Sequence, residues 1–212
     1  GYYMLGLSAW KSGDFSKSET AFEKALSIDP RHVKSLVNLS RVFIDQKRHD
    51  DAIERLTRAA AIDPDSNEVY RLLGRTYHTE GQTEEAIDAY RRAIDLNERD
   101  AWSMNNLGLL FVETGRADEA LPILQDLLSI IERKQLRHIE LPVRKNLGRA
   151  LVDLKQYERA EAELLLAHRL ATERADARNQ QRCAETLAML YDAWQRPEDA
   201  QRWHAATQPS SH

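Results

Sequence analysis

Large apolar residues recur along this chain at alternating intervals of three and four positions. Met104, Leu107 and Phe111 keep this spacing, and two polar residues, Asn105 and Asn106, interrupt the same apolar run. Apolar side chains at such intervals fall on one face of an α-helix, which has about 3.6 residues per turn. The pattern therefore predicts amphipathic helices and an all-α fold.

The same pattern recurs at a fixed period, marked in each repeat by a leucine followed by a small residue. The pairs Leu5-Gly6, Leu39-Ser40, Leu73-Gly74 and Leu107-Gly108 lie 34 residues apart, and Leu147-Gly148 and Leu187-Ala188 each follow after 40 residues. A sustained period of this length indicates a repeat architecture. It predicts one domain over residues 1–207, with repeats at 1–31, 32–65, 66–99, 100–135, 136–175 and 176–207, and a disordered tail at 208–212.

Each repeat is predicted to be an antiparallel helix pair joined by a tight turn. Glycines in a left-handed conformation suit such turns, and Gly13, Gly81 and Gly115 lie where the first helix should end. Pro30 and Pro64 follow an aspartate at the end of early repeats, where proline stops a helix. The later repeats lack these prolines, so helices of about 16 to 19 residues are expected from residue 118 onward.

The third repeat shows the motif most fully. It contains Tyr70, Leu73-Gly74, Tyr77, Ala86 and Tyr90 in the order and spacing of a tetratricopeptide repeat, which the whole chain resembles over almost its full length. This resemblance implies an α-α superhelix, a solenoid of about six helix pairs. It also implies a concave groove, lined by the first helix of each pair, in which extended peptides bind.

Composition and charge narrow the function. The 212 residues are 42% hydrophobic and 30% charged, which predicts a folded domain, and the formal net charge of -4 gives no general attraction for nucleic acid. No apolar run is long enough to predict a membrane span. The single cysteine, Cys183, excludes an internal disulfide and favours the cytoplasm. The chain begins inside a helical pattern, so we expect a fragment of a longer protein.

No catalytic motif is present in the sequence. It contains neither a glycine-rich phosphate loop nor the His-Glu-x-x-His or Gly-x-Ser-x-Gly pattern. Cys183 lies in a predicted helix, where a small buried side chain is expected rather than a nucleophile. The sequence therefore predicts no enzymatic activity, no cofactor and no metal site.

The resemblance implies that the side of each first helix opposite its apolar stripe faces a partner. Asn38, Asn106 and Asn146 hold equivalent places there, and amides can pair with the backbone of a peptide. The surrounding cations suit carboxylates. The predicted groove residues are Lys34, Asn38, Arg41, Arg71, Arg75, His78, Trp102, Asn105, Asn106, Lys145, Asn146 and Arg149, and the same face of the last repeat contains Arg182, Thr186 and Met189.

The sequence thus predicts a protein–protein interaction scaffold or adaptor that binds an extended, acidic peptide. The set of cations and asparagines used by chaperone-binding relatives is incomplete, because Leu72 replaces a required arginine. Three alternatives stay open. The asparagines could only solvate their helices, the apolar helix Tyr2–Leu7 could mediate self-association, or the segment could be the targeting arm of an enzyme whose catalytic domain lies elsewhere.

Overall fold

The computed structural model describes residues 1–207, and within this range it contains twelve α-helices and no strand. In chain order they are α1 (Tyr2–Lys11), α2 (Phe15–Ile28), α3 (Val33–Asp45), α4 (His49–Ile62), α5 (Asn67–Thr79), α6 (Thr83–Leu96), α7 (Ala101–Glu113), α8 (Ala117–Lys134), α9 (Arg137–Asp153), α10 (Tyr157–Glu173), α11 (Ala177–Ala193) and α12 (Pro197–Thr207). The all-α prediction is confirmed. The predicted tail at 208–212 lies outside the described residues.

Each of the six predicted repeats contains two of these helices. Helices α8 to α11 have 17 or 18 residues, whereas α1 to α7 have 10 to 14. Helix α12 has 11 residues: it begins at Pro197, a residue that suits the first turn of a helix, and ends at Thr207, the last described residue. Nowhere within residues 1–207 is a helix both long and apolar enough to cross a bilayer.

The helices group into two compact units, one of residues 1–103 and one that begins at Met104. In the first unit, every helix from α1 to α5 packs on the next one, and α1 also touches α3. In the second unit, α8 to α12 pack in the same consecutive way, and α9 also touches α11. First helices of successive pairs therefore lie side by side within each unit.

The two helices of a pair approach each other at the small residue of the Leu-small motif. In the first pair, the Ser18 hydroxyl donates a hydrogen bond to the Gly6 carbonyl at 2.9 Å, which shows the antiparallel arrangement. A Cβ atom placed on Gly74 would lie 2.6 Å from the buried ring of Tyr90. One placed on Gly148 would lie 2.5 Å from the Leu164 side chain. These glycines allow a contact that a larger residue would block.

One left-handed residue ends the first helix of every pair. Six residues share this place and a positive φ: Gly13, Lys47, Gly81, Gly115, Lys155 and Gln195. The three glycines confirm the turns that the sequence predicts. The other three positions adopt the same conformation despite having a side chain, because the helices on both sides fix the direction of the chain.

We predict that Lys47→Gly stabilises the protein. Lys47 has a φ of 61°, and a side chain in this region costs about 1 kcal/mol relative to glycine. The free energy of unfolding, measured by urea denaturation, should therefore rise by about 1 kcal/mol. Lys47→Ala is the matched control because it removes the charge but keeps the Cβ atom. If both variants had the same stability, the strain we infer at this residue would be absent.

We predict that Gly74→Ala destabilises the protein, although alanine is the better helix former. The added methyl group would overlap the Tyr90 ring, and overpacking of this kind costs about 1 to 3 kcal/mol. Urea denaturation measures the loss. Thr79→Ala, at an exposed position of the same helix, is the control and should change the stability little. A Gly74→Ala variant as stable as the wild type would contradict the close approach of α5 and α6.

Candidate functional site

The predicted groove residues all lie on first helices of the pairs. Helix α3 contains Lys34, Asn38 and Arg41, α5 contains Arg71, Arg75 and His78, α7 contains Trp102, Asn105 and Asn106, and α9 contains Lys145, Asn146 and Arg149. Within each unit, we call the surface formed by the solvent-facing sides of its first helices the first-helix face of that unit, which in the second unit includes α11. The surroundings of the predicted groove residues differ between the two units.

In the first unit, two of the predicted cations are paired with carboxylates of the same unit. The Arg41 guanidinium forms an ion pair with Glu68 of α5 and also lies 5.9 Å from the centre of the Trp10 ring. Arg71 Nη1 lies 3.8 Å from Oδ1 of Asp100, which is buried. These carboxylates reduce the positive charge that the first unit offers to a partner.

Asn38 is also satisfied within the first unit. Its side chain is largely buried, and Nδ2 donates hydrogen bonds to the Lys34 carbonyl at 2.8 Å and to the Tyr3 hydroxyl at 3.4 Å. Leu72, at the equivalent place on α5, is buried as well. The contact between α1 and α3 explains the burial of Asn38, because its side chain reaches Tyr3 on the neighbouring first helix.

The remaining predicted residues of the first unit are more accessible. Lys34 and Arg75 are exposed, whereas His78 is half-buried with its ring 6.5 Å from the ring of Tyr90. Trp102 is 55% exposed, which makes it one of the few large apolar side chains on the first-helix face that solvent reaches.

In the second unit, side chains from α7, α9 and α11 line a cleft of about 340 Å³. The lining residues are Leu109, Glu113, Lys145, Arg149, Arg182, Glu185, Thr186 and Met189. Three of them are cations. Within residues 1–207, Lys145, Arg149 and Arg182 form no ion pair and no side-chain hydrogen bond. The cleft therefore brings together three cations that no described carboxylate engages in an ion pair, beside the two carboxylates Glu113 and Glu185.

The electrostatics of Lys145 reflect this concentration. Its pKa is lowered, first by burial of the ammonium group and then by the positive charges of Arg182 and Arg149, while Glu113 opposes the shift. A bound anion would relieve the repulsion among these cations and favour the charged form of Lys145. The cleft is thus electrostatically suited to a carboxylate.

Two asparagines pair beneath the first-helix face of the second unit. Asn146 is only 2% exposed, and its Nδ2 donates a hydrogen bond to Asn105 Oδ1 at 3.1 Å. Asn105, which accepts this hydrogen bond, is half-buried. Within the described range, Asn146 Oδ1 has no hydrogen-bond partner, a loss of about 1 to 3 kcal/mol for a buried acceptor. Asn106, which is in register with Asn146 in the sequence, is half-buried.

The structure also shows a buried ion cluster that the sequence reasoning missed. Arg144 of α9 binds Glu140 through Nε at 2.8 Å, Glu163 of α10 through Nη1 at 2.6 Å, and Glu132 of α8 through Nη2 at 3.1 Å. The signal in the sequence was an arginine where the repeat motif usually has an aromatic residue. Since Nε, Nη1 and Nη2 each contact a carboxylate, Arg144 joins the three helices α8, α9 and α10.

Metal binding and thiol chemistry are the two further kinds of site to consider among residues 1–207. No group of histidine, cysteine, aspartate and glutamate side chains in residues 1–207 could hold a metal ion. The Cys183 thiol is fully buried, and burial raises its pKa to about 11. A thiol of this kind is a poor nucleophile at neutral pH.

Three family models match the chain. Two described as "Tetratricopeptide repeat" match residues 9–76 and 101–134, and one described as "TPR repeat" matches residues 74–115. Together they extend over more than half of the chain, and none of the three describes an enzyme family.

Solved structures and a curated relative agree with this family. A crystal structure of the MamA protein is 27% identical, covers 84% of this chain and 93% of its own, and gives a TM-score of 0.72. YrrB, described as a TPR protein with an unusual peptide-binding site, is 18% identical over 80% of this chain and 84% of its own, with a TM-score of 0.67, and shows the fold alone.

The curated relative is stress-induced-phosphoprotein 1 of Caenorhabditis elegans, which is 25% identical over 69 residues, or 32% of this chain. The match spans only 22% of that protein's length. Tetratricopeptide repeat proteins generally mediate protein–protein interactions. The repeated helix pairs, their small-residue contacts and the three matching models lead to one conclusion: the chain belongs to the tetratricopeptide repeat family.

Proposed function

We propose that this chain is a non-enzymatic scaffold that binds an extended, acidic segment of a partner protein along the first-helix face of its second unit. The observation that carries the proposal is the cleft of the second unit, where Lys145, Arg149 and Arg182 lie together and form no ion pair with any described residue. Desolvated or partly buried cations are costly unless an anion compensates them, so a carboxylate from a partner would be stabilised there.

The balance of charges over the whole chain also favours a local binding site for an acidic peptide. The chain has 30 lysines and arginines against 34 aspartates and glutamates, so most of its surface has no general affinity for acidic ligands. Attraction for an acidic peptide must therefore come from a local cluster of cations. In the first unit, Arg41 and Arg71 lie beside carboxylates, which makes the second unit the stronger candidate.

Amides of the second unit could add contacts to the backbone of the peptide. Asn105 uses its Oδ1 to accept from Asn146, and its Nδ2 is the group that would donate to a peptide carbonyl. Asn38 already uses its Nδ2 for hydrogen bonds inside the first unit. The proposal therefore assigns recognition chiefly to charge, with Asn105 in a supporting role. The buried, unpaired Cys183 is compatible with the cytoplasmic location that the sequence favours.

We predict that Lys145→Glu with Arg149→Glu abolishes binding of an acidic peptide. The probe is a short fluorescein-labelled peptide of repeating Glu-Leu-Ser triplets, and fluorescence anisotropy gives its Kd. The double variant should weaken binding at least about tenfold, because repulsion replaces attraction in the cleft. Added salt should weaken binding by the wild type, since part of the attraction is screened.

The control variant carries Arg169→Glu with Arg202→Glu, which changes the net charge by the same amount. Both arginines are exposed and lie on second helices, away from the first-helix face. This variant should bind the peptide nearly as well as the wild type, and circular dichroism should show equal helicity for all three proteins. Equal loss of binding in both variants would mean that only the net charge matters, and unchanged binding in both would refute the proposal.

A second candidate function is self-association through α1. The side chains of Tyr2, Met4 and Leu5 are 43%, 62% and 41% exposed, whereas Leu36 and Leu39, at the places of Tyr2 and Leu5 in the next repeat, are fully buried. The outer side of α1 therefore offers an apolar surface of the kind that a further helix covers inside the array. Sedimentation velocity over a range of protein concentrations tests self-association. A protein that stays monomeric at every concentration would exclude self-association through α1 and leave peptide binding as the candidate function.

A further inference from the structure

We propose that the cleft of the second unit recognises a single carboxylate together with a neighbouring aliphatic side chain that points the same way from an extended peptide. This inference rests on the proposed function and specifies the chemistry of the ligand. It follows from the number of charges in the cleft, from the position of its apolar residues and from the geometry of α11.

The charges in the cleft fit one carboxylate. Three cations, Lys145, Arg149 and Arg182, line it together with two carboxylates, Glu113 and Glu185. Among the residues that line the cleft, cations exceed carboxylates by one, so a single carboxylate balances the charge of the lining. A phosphate dianion or a run of adjacent acidic residues would exceed this charge and meet repulsion from the two glutamates.

The geometry of α11 places an apolar contact beside the cations. Arg182, Glu185, Thr186 and Met189 follow one another at intervals of three, one and three residues, which puts them on one face of the helix. Met189 is 64% exposed, and this flexible, apolar side chain lies about two helical turns from Arg182. Methionine adapts well to apolar side chains of different shapes.

Leu109 of α7 also lines the cleft and extends its apolar part. Leu109 is half-buried and Met189 is exposed, and the apolar surface that each leaves in water is unfavourably hydrated until an apolar partner covers it. The cations and the two apolar residues therefore define two adjoining parts of one cleft. A ligand that fills both parts must present a carboxylate and an aliphatic group together.

The conformation of the ligand limits the order of its residues. Side chains of an extended peptide alternate between opposite sides, so two that point into the same cleft lie an even number of positions apart. A Glu-Ser-Leu triplet meets this condition, whereas Glu-Leu-Ser contains the same residues with the leucine on the other side.

The test is competition against the labelled acidic peptide. The competitors are short peptides with blocked ends that contain one triplet between serine and glycine residues: Glu-Ser-Leu, Glu-Leu-Ser, Gln-Ser-Leu and Glu-Ser-Ser. We expect Glu-Ser-Leu to compete at least about fivefold better than each of the others, because the others lose either the carboxylate contact or the apolar contact.

Two substitutions of exposed residues separate the two parts of the cleft. Arg182→Gln should reduce the preference for Glu-Ser-Leu over Gln-Ser-Leu at least about threefold but keep the preference over Glu-Ser-Ser. Met189→Ser should reduce the preference for Glu-Ser-Leu over Glu-Ser-Ser at least about threefold but keep the preference over Gln-Ser-Leu. Since both side chains are exposed, neither substitution should change helicity.

The outcomes distinguish this inference from the proposed function. If the labelled peptide does not bind at all, the proposed function fails and the inference fails with it. If it binds but Glu-Ser-Leu and Glu-Leu-Ser compete equally, the first-helix face binds acidic peptides without the two-part recognition inferred from α11, and only the inference is overturned.

Discussion

Each helix pair depends on the contact between the small residue of its first helix and a large side chain of its second helix. Gly74 against Tyr90 and Gly148 against Leu164 show how little space this contact leaves. Because the two helices are held this closely on one side, the first helix turns its opposite side away from its partner. The same contact, repeated along the chain, therefore produces both the core and the surface that is available for binding.

Much of this could be predicted from the sequence because the repeat period is carried by the residues that make these contacts. The six Leu-small pairs locate the helix pairs, and Gly13 locates a turn that the structure confirms. Lys47 could not be predicted to adopt a positive φ, since its own preference opposes that conformation and only the packing of α3 and α4 imposes it. Local sequence signals fail where tertiary contacts override them.

The candidate site was harder to predict because a helical face does not reveal its neighbours. Asn38 and Asn146 hold equivalent places in the sequence, and both are buried by neighbouring first helices. Similarly, the sequence predicts both Arg41 and Arg149 as groove cations and does not distinguish between them. Only the structure shows that Arg41 forms an ion pair with Glu68, whereas Arg149 forms no ion pair within residues 1–207. Ion pairing between helices, which no periodicity encodes, is therefore the basis on which we propose one set of cations over the other as the site for an acidic ligand.

We propose that the cations of the second unit that form no ion pair make the binding surface for acidic peptides. A titration of the ¹⁵N-labelled protein with the acidic peptide, followed by chemical-shift changes of the backbone amides, tests this directly. We expect saturable changes in α9 and α11, around Lys145, Arg149 and Arg182, and much smaller changes around Arg41 in α3. Changes centred on α3 and α5, or spread over the second helices of the pairs, would contradict it.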